Sequence, residues 1–410
     1  MRVIGLDLHR AFAEVAILEK GVIRHAGKVA LEHTAVIAFA KALKRSDEVV
    51  VEATGNTAIV VRLLKPYVRR VIVANPRQVR AIAHAKVKTD KIDAAVLAKL
   101  HASGFLPEVW IADDATEALR RRVAERCQVV SHMTRLKNRI HSVLNMNLIP
   151  RYPGKLFSKR GRTWLAAQPI PEDQKRVIAR HLEEHDRLDA VLSVLDRDLA
   201  QDALKDQQVE RLMTIGGVNM TVALGVLAAI GDVTRFSSSE KLVSYFGLNP
   251  KVRQSGDHPA YHGRISKEGR AHARALLVEA AWSIARQPGP LRAFFQRVRA
   301  KRGQQIAVVA TARKLAVLIW HMLTKEEDYA WTRPALLQWK LRELELTAGQ
   351  TSRRGGNKPG RAKDYSLKTV RDKEREWLGF AEANYRRFAS AWRELPPSRR
   401  PSAAKEVRRS

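Results

Sequence analysis

Residues 3–10 read VIGLDLHR and residues 49–56 read VVVEATGN. In each, an acid, Asp7 or Glu52, interrupts an apolar, β-branched run of the kind that forms a buried strand. An unpaired carboxylate buried there is costly or shifts its pKa, so an acid in that place has a cation to bind. A third stretch, KTDKIDAAVLAKL at 88–100, reads as a helix whose Asp90 and Asp93, three residues apart, share one face. Carboxylates from two strands and a helix would form an all-oxygen cage for hard divalent ions, the setting in which phosphodiesters are attacked.

Working outward, Arg2 to His9, Ala13 to Leu18 and Val22 to Val29 read as three successive strands. Helical spacing follows at Thr34 to Leu43, a strand at Glu48 to Ala53, a helix at Thr57 to Leu64 and a strand at Arg70 to Ala74, with a further helix after Pro76. That order predicts an α/β, ribonuclease H-like domain over residues 1–112, a mixed sheet flanked by helices with acids at the ends of adjacent central strands.

Beyond Pro107 the pattern becomes helical. Thr116 to Leu148 and Glu172 to Leu204 read as long helices joined by a Pro-, Gly- and base-containing connector, together a middle region over 113–207. Leu188, Leu192, Leu195 and Leu199 fall at spacings of four, three and four, which fits a helical hairpin, an oligomerising coiled coil or an ordinary amphipathic helix packed on its own domain. A mainly α region over 208–334 opens with LMTIGGVNMTVALGVLAAIGDVTRF, which resembles a helix-hairpin-helix. Its Gly-Gly turn would present backbone N–H groups to a phosphate, or would need glycine only for packing. Next come SEKLVSYFGLNPKVRQSGDH and HGRISKEGRAHARALLVEAAWSIAR, where Arg253, Arg264, Lys267 and Arg270 are candidate phosphate contacts against the default of a solvated basic loop.

The 410 residues hold 74 Lys+Arg against 42 Asp+Glu, a formal charge of +32, so the chain will seek polyanions without that charge choosing a sequence or a reaction. Cys127 is the single cysteine, which excludes an internal disulfide framework and a Cys-rich zinc site. No apolar run reaches the ~20 residues of a bilayer span and no signal-peptide pattern is present, so a soluble, cytoplasmic protein away from membranes is expected. Residues 335–410 form a basic extension, with 17 Lys+Arg against 7 Asp+Glu from 351 onward. There SRRGGNKPGRAK reads as a flexible linker, and Val370 to Leu395, with Trp377, Phe380, Tyr385, Phe388 and Trp392, as a helix with an aromatic face. Such a face suits RNA or single-stranded DNA; the alternative is a small helix packed on the body and followed by a disordered tail.

The acids Asp7, Glu52, Asp90 and Asp93, in the strings GLD, VEATG and KTDKIDA, resemble the DEDD transposases of circularising bacterial insertion sequences. Downstream, TIGGV, YFGLNPKVRQSG and GRISKEGR resemble the C-terminal domain of the same family, in the same order, so the resemblance spans about residues 1 to 330. It implies a recombinase with a RuvC-like nuclease domain and a serine-bearing domain, directed to double-stranded DNA by a structured guide RNA. It further implies Mg²⁺ held by the four acids, a homo-oligomer (dimer or tetramer), and a bacterial, nucleoid-associated setting. The attacking serine corresponds to Ser255, with Ser266 as its rival; by itself a Ser-Gly in a polar loop reads as a turn. A serine hydroxyl needs a base or a metal to act at neutral pH, and His258 and His262 are near Ser255 in sequence only. Two other readings stand beside this one: a RuvC-like junction-resolving nuclease without serine chemistry, and a non-catalytic nucleic-acid-binding protein.

Overall fold

Short polar or glycine-containing breaks separate Arg2–Leu8 (β1), Phe12–Glu19 (β2) and Val22–Ala30 (β3), which form an antiparallel meander. His33–Lys41 (α1) leads to Glu48–Glu52 (β4), and Thr57–Leu64 (α2) to Arg70–Ala74 (β5). Pro76–Ile82 (α3) and Asp90–Ala102 (α4) then precede a short edge strand, Glu108–Val109 (β6). The computed structural model describes residues 2–83, 89–256, 260–350 and 367–394, with the backbone alone at His262 and at 392–394. The expected linker SRRGGNKPGRAK, the tail from Leu395, His258, and the side chains of His262 and Trp392 lie outside what is described.

The sheet runs β3-β2-β1-β4-β5-β6, with β1, β4 and β5 parallel at its centre. This mixed sheet fits a ribonuclease H-like domain. The edge strand β6 was not expected: it pairs only Val109 with Val73 and Glu108 with Ala74, too short to leave a periodic signal. Central strands are buried on both faces, which is why they read as nearly continuous apolar runs. On one face Ile4, Leu6, Val49 and Val51 pack with Val36, Ala40, Val60 and Leu64 of α1 and α2. On the other, Val3, Val50 and Ile72 pack with Leu97 and Ala98 of α4.

The chain divides into two compact units, ending and beginning at Asp113 and Asp114. In the second, Asp114–Met146 (α5) and Glu172–Ala203 (α7) pair around a short Lys159–Ala166 helix (α6). Met133 and Leu136 meet Leu188, while Ile140 and Leu144 meet Ile178, so the pair is antiparallel and two of the heptad leucines, Leu188 and Leu199, are buried within the same chain. Arg126 Nε bonds Asp196 Oδ1 across the pair at 2.5 Å.

Gln207–Met213 (α8) and Met220–Ile230 (α9) flank the Gly-Gly turn, followed by Ser239–Tyr245 (α10), the hairpin Pro250–Arg253 (β7) and Tyr261–Ile265 (β8), and Ala271–Ile284 (α11). The remaining helices are Pro290–Arg302 (α12), Gln304–Lys325 (α13), Pro334–Thr347 (α14) and Lys368–Glu394 (α15). A side chain on Gly217 would strike Ile284 and the Ala280 carbonyl of α11, so this turn needs glycine for close packing. Helix α13 corrects one expectation, because it is long and apolar enough to cross a membrane. Its Ala307, Val308, Ala312, Leu315 and Ile319 lie buried in the core of the second unit, and Arg313 and Lys314 interrupt its middle, so it serves as a core helix. Those two charges are what broke the run in the sequence reading.

Helix α15 is docked by two glutamates that accept from the starts of other helices. Glu382, 3% exposed, takes Gly289 N–H at 3.1 Å at the head of α12, and Glu374 takes Ala335 N–H at 2.6 Å at the head of α14. Carboxylates at helix N-termini meet both orphan N–H groups and the positive end of the dipole.

Candidate active site

Asp7 stands near the end of β1, on the same side of the sheet as Val3 and Gly5, the side covered by α4. Strands β1 and β4 are in parallel register with Leu6 opposite Val51, which sets Glu52 on the neighbouring strand end facing the same way as Asp7. Helix α4 begins beside them: Thr89 caps it by accepting Ile92 N–H, and Asp90 and Asp93 occupy its first turn. At its far end, His101 Nε2 lies 2.6 Å from Glu48 Oε2 of β4, which pins the helix along the sheet.

The tightest group is not the four acids alone. Among the described residues, ligand atoms of Asp7, His9 and Asp90 all lie within 4.8 Å of one another. His9 Nε2 sits 3.1 Å from Asp7 Oδ2 and 3.3 Å from Asp90 Oδ2. Asp93 is close enough to act on Asp7 electrostatically, while Glu52 stands outside this group. Burial holds the Asp7 carboxyl above its ordinary value; His9 opposes that shift, and Asp93 and Asp90 add to it. A buried carboxylate crowded by two others is a group that a cation stabilises. Oxygen donors with one imidazole nitrogen suit a divalent first-row or alkaline-earth ion.

Two residues here escaped the sequence reading. His9 is two positions beyond Asp7 on the same strand side, a period-two signal in LDLH. Glu14 lies directly opposite Asp7 in the β1–β2 ladder, is 1% exposed, and leaves Oε1 without a hydrogen-bond partner in the described structure. An acid inside FAEVAIL is the same signal that singled out Asp7.

The other candidates are in the second unit. Ser255 is exposed just past β7, before Gly256 at φ +56°. Ser266 is half-buried, its hydroxyl accepting Glu268 N–H at 3.4 Å and its own N–H donating to Asn249 O, so Ser255 is the more accessible of the two. Arg253 and Arg264 are exposed on the two hairpin strands, beside Val252 and Tyr261, which are 54% and 70% exposed. Lys267 is exposed in a left-handed turn at φ +58°, and Arg270 donates Nε–H to Tyr245 Oη at 2.7 Å with its guanidinium over the same ring.

Residues 4–147 match the family model of a DEDD transposase of the IS110 type, and residues 209–296 match the model described as transposase, IS116/IS110/IS902 family. A "Probable family 20 transposase" of Pseudomonas aeruginosa is 24% identical, over 80% of this chain and 98% of that protein. The transposase for insertion sequence element IS1111A of Coxiella burnetii is 28% identical, over 59% of this chain and 68% of its own. For insertion sequence element IS1328 of Yersinia enterocolitica the transposase is 23% identical, over 68% and 84%. All four acids lie inside the first matched segment, and Ser255 and Ser266 inside the second.

Proposed function

Since this chain belongs to the family of DEDD-type insertion-sequence transposases, enzymes that act on DNA, we propose that it cuts and rejoins DNA strands through a covalent link to Ser255. The observation that carries the reading is the convergence of Asp7, His9 and Asp90 at the C-terminal end of the central strands of a ribonuclease H-like sheet, with Glu52 and Asp93 on the same side. The four acids, with His9 beside them, hold a divalent ion, Mg²⁺ in this proposal. Such an ion supplies neutralisation of charge on the phosphate oxygens and a lowered pKa for a nearby hydroxyl.

The protein's own part begins with the Ser255 hydroxyl. Its oxygen attacks the phosphorus as the P–O3′ bond breaks, and the leaving 3′-oxygen takes up a proton through solvent in exchange for the one the serine gives up, so the strand leaves as a 3′-hydroxyl with no net proton released. The phosphoserine is still an ester of phosphate, so a 3′-hydroxyl from a second strand can reverse the step without another energy source. Arg253 and Arg264, exposed on the hairpin that carries Ser255, hold the flanking phosphates. Arg270 and Lys267 extend that contact. Targeting by a structured guide RNA and action as a dimer or tetramer complete the proposal, and the resemblance of the sequence motifs supports both.

The second reading, a nuclease that uses the acids and water alone, is favoured by the ordered acidic group taken by itself. Denaturing gels of the protein with nicked, labelled DNA ends separate the two. A covalent adduct lost in both Ser255→Ala and Asp7→Ala is expected; continued cutting by Ser255→Ala would establish the acid-only nuclease.

A further inference from the structure

Helices α12 and α15 enclose a groove of about 560 Å³ that the chemistry above does not use. Its walls are Arg297, Val298, Lys301 and Arg302 of α12, and Tyr385, Phe388 and Ala389 of α15, and among the described residues none lining it is acidic. Phe388 is 60% exposed, and Arg297 lies over the Tyr385 ring at 5.8 Å from its centroid. The buried acid of α15, Glu382, is committed elsewhere, bonded to Arg292 and Arg386 and to the head of α12. Positive charge therefore faces the groove, and no described residue of its wall carries a carboxylate.

Lys301 stands one helical turn beyond Arg297, so cations repeat along one wall at a spacing of about 6 Å, which a phosphate backbone can follow. Tyr385 and Phe388, three apart, present rings from the other wall. Aromatic faces opposite a cationic track bind nucleotides whose base faces are open, and paired bases in a duplex have none to offer. We propose that the α12–α15 groove holds unpaired single-stranded DNA, with bases stacked on Phe388 and Tyr385 and phosphates on Arg297, Lys301 and Arg302. This rests on the strand-exchange reading, which supplies unpaired DNA at each cut end, and it places the separated strand in the second unit.

The test is fluorescence anisotropy of the full chain with labelled oligothymidine, oligouridine of equal length, and duplex DNA. Phe388→Ala is expected to weaken oligothymidine binding about tenfold or more while leaving the duplex unchanged. Lys301→Gln, a change at the opposite wall, is expected to lower the salt slope for oligothymidine by about 0.7. Equal losses on duplex, or no loss on oligothymidine, would overturn the assignment. So would a loss confined to oligouridine, which would make the occupant RNA, or a changed sedimentation coefficient with intact oligothymidine binding, which would make it a second copy. Ser255→Ala should bind oligothymidine normally, so failure of the serine chemistry and failure of the groove are separate outcomes.

Discussion

Gly5 of β1 lies directly beneath the backbone of Ala94 in α4, so close that a Cβ on Gly5 would collide with the Ala94 carbonyl oxygen. The contact sits one turn past Asp90 and next to Asp93 on α4, and two residues before Asp7 on β1. It is therefore what lets helix and strand bring their carboxylates together.

Gly5→Ala should lift α4 from the sheet. Overpacking of this kind costs about 1–3 kcal/mol, and the same displacement separates Asp90 from Asp7. Thermal melts should show the loss of stability, and calorimetric titration should show divalent-ion affinity falling with it. Retained affinity in a destabilised variant would show that the acids do not depend on this contact.

Asp7→Asn should stabilise the protein in the absence of divalent ions. The folded-state carboxyl is held above 3.8 by burial and by Asp93 and Asp90, so the folded protein binds more protons than the unfolded one just above that pH. Folding stability then falls as pH rises through that window, and the ionised form carries the cost at neutral pH. Removing the charge removes the cost, along with the rise in melting temperature that added Mg²⁺ or Mn²⁺ gives the unaltered protein. A melting temperature unchanged or lowered without metal would contradict this account.

The same pairing of strand and acid explains how much could be read in advance. Asp7 and Glu52 stood out because each broke a buried strand, and the sheet formed by those strands follows the predicted order of elements. Glu14 obeys the same rule but was passed over, because its strand was read only for its apolar pattern. His9 could be placed only once the register fixed its side of the sheet and α4 brought Asp90 to it. The Gly-Gly turn was ambiguous because its function in packing depends on Ala280 and Ile284, more than sixty residues downstream. Likewise, nothing local to Lys340 announces its partners, which lie more than a hundred residues upstream.

Those partners yield a third prediction. Lys340 Nζ donates to the carbonyls of Met213, Ile215 and Val218 at 2.7, 2.7 and 2.8 Å, tying α14 to the turn between α8 and α9. Lys340→Met should destabilise the protein by about 2–4 kcal/mol, since buried carbonyls are left without a donor. Burial, with Arg333 nearby, lowers the amine from 10.5 to about 7. Between those values the unfolded chain carries a proton that the folded chain lacks, so wild-type stability should rise with pH relative to Lys340→Met. Denaturant melts of both proteins from pH 7 to 10 would check it; a constant difference would mean that the three carbonyls keep the ammonium charged.

Glu382 provides the last test, because its buried carboxylate joins α15 to the body through an ion pair with the part-exposed Arg292 and the N–H of Gly289. Glu382→Ala leaves Arg292 without its carboxylate and the head of α12 without an acceptor. Arg292 can turn to solvent once its partner is gone, so losing the charge-assisted bonds costs about 1–3 kcal/mol, and the loss can be relieved by releasing α15 alone. Hydrogen exchange should therefore show lost protection across Lys368–Glu394 and at the start of α12, with α9 and α13 still protected. Glu374→Ala should loosen the same helix at its other end by removing the acceptor for Ala335 N–H and the partner of Arg333. If α15 stayed protected in both variants, its Leu378, Ala381 and Ala389 contacts would hold it without the glutamates, and the two carboxylates would serve only to cap α12 and α14.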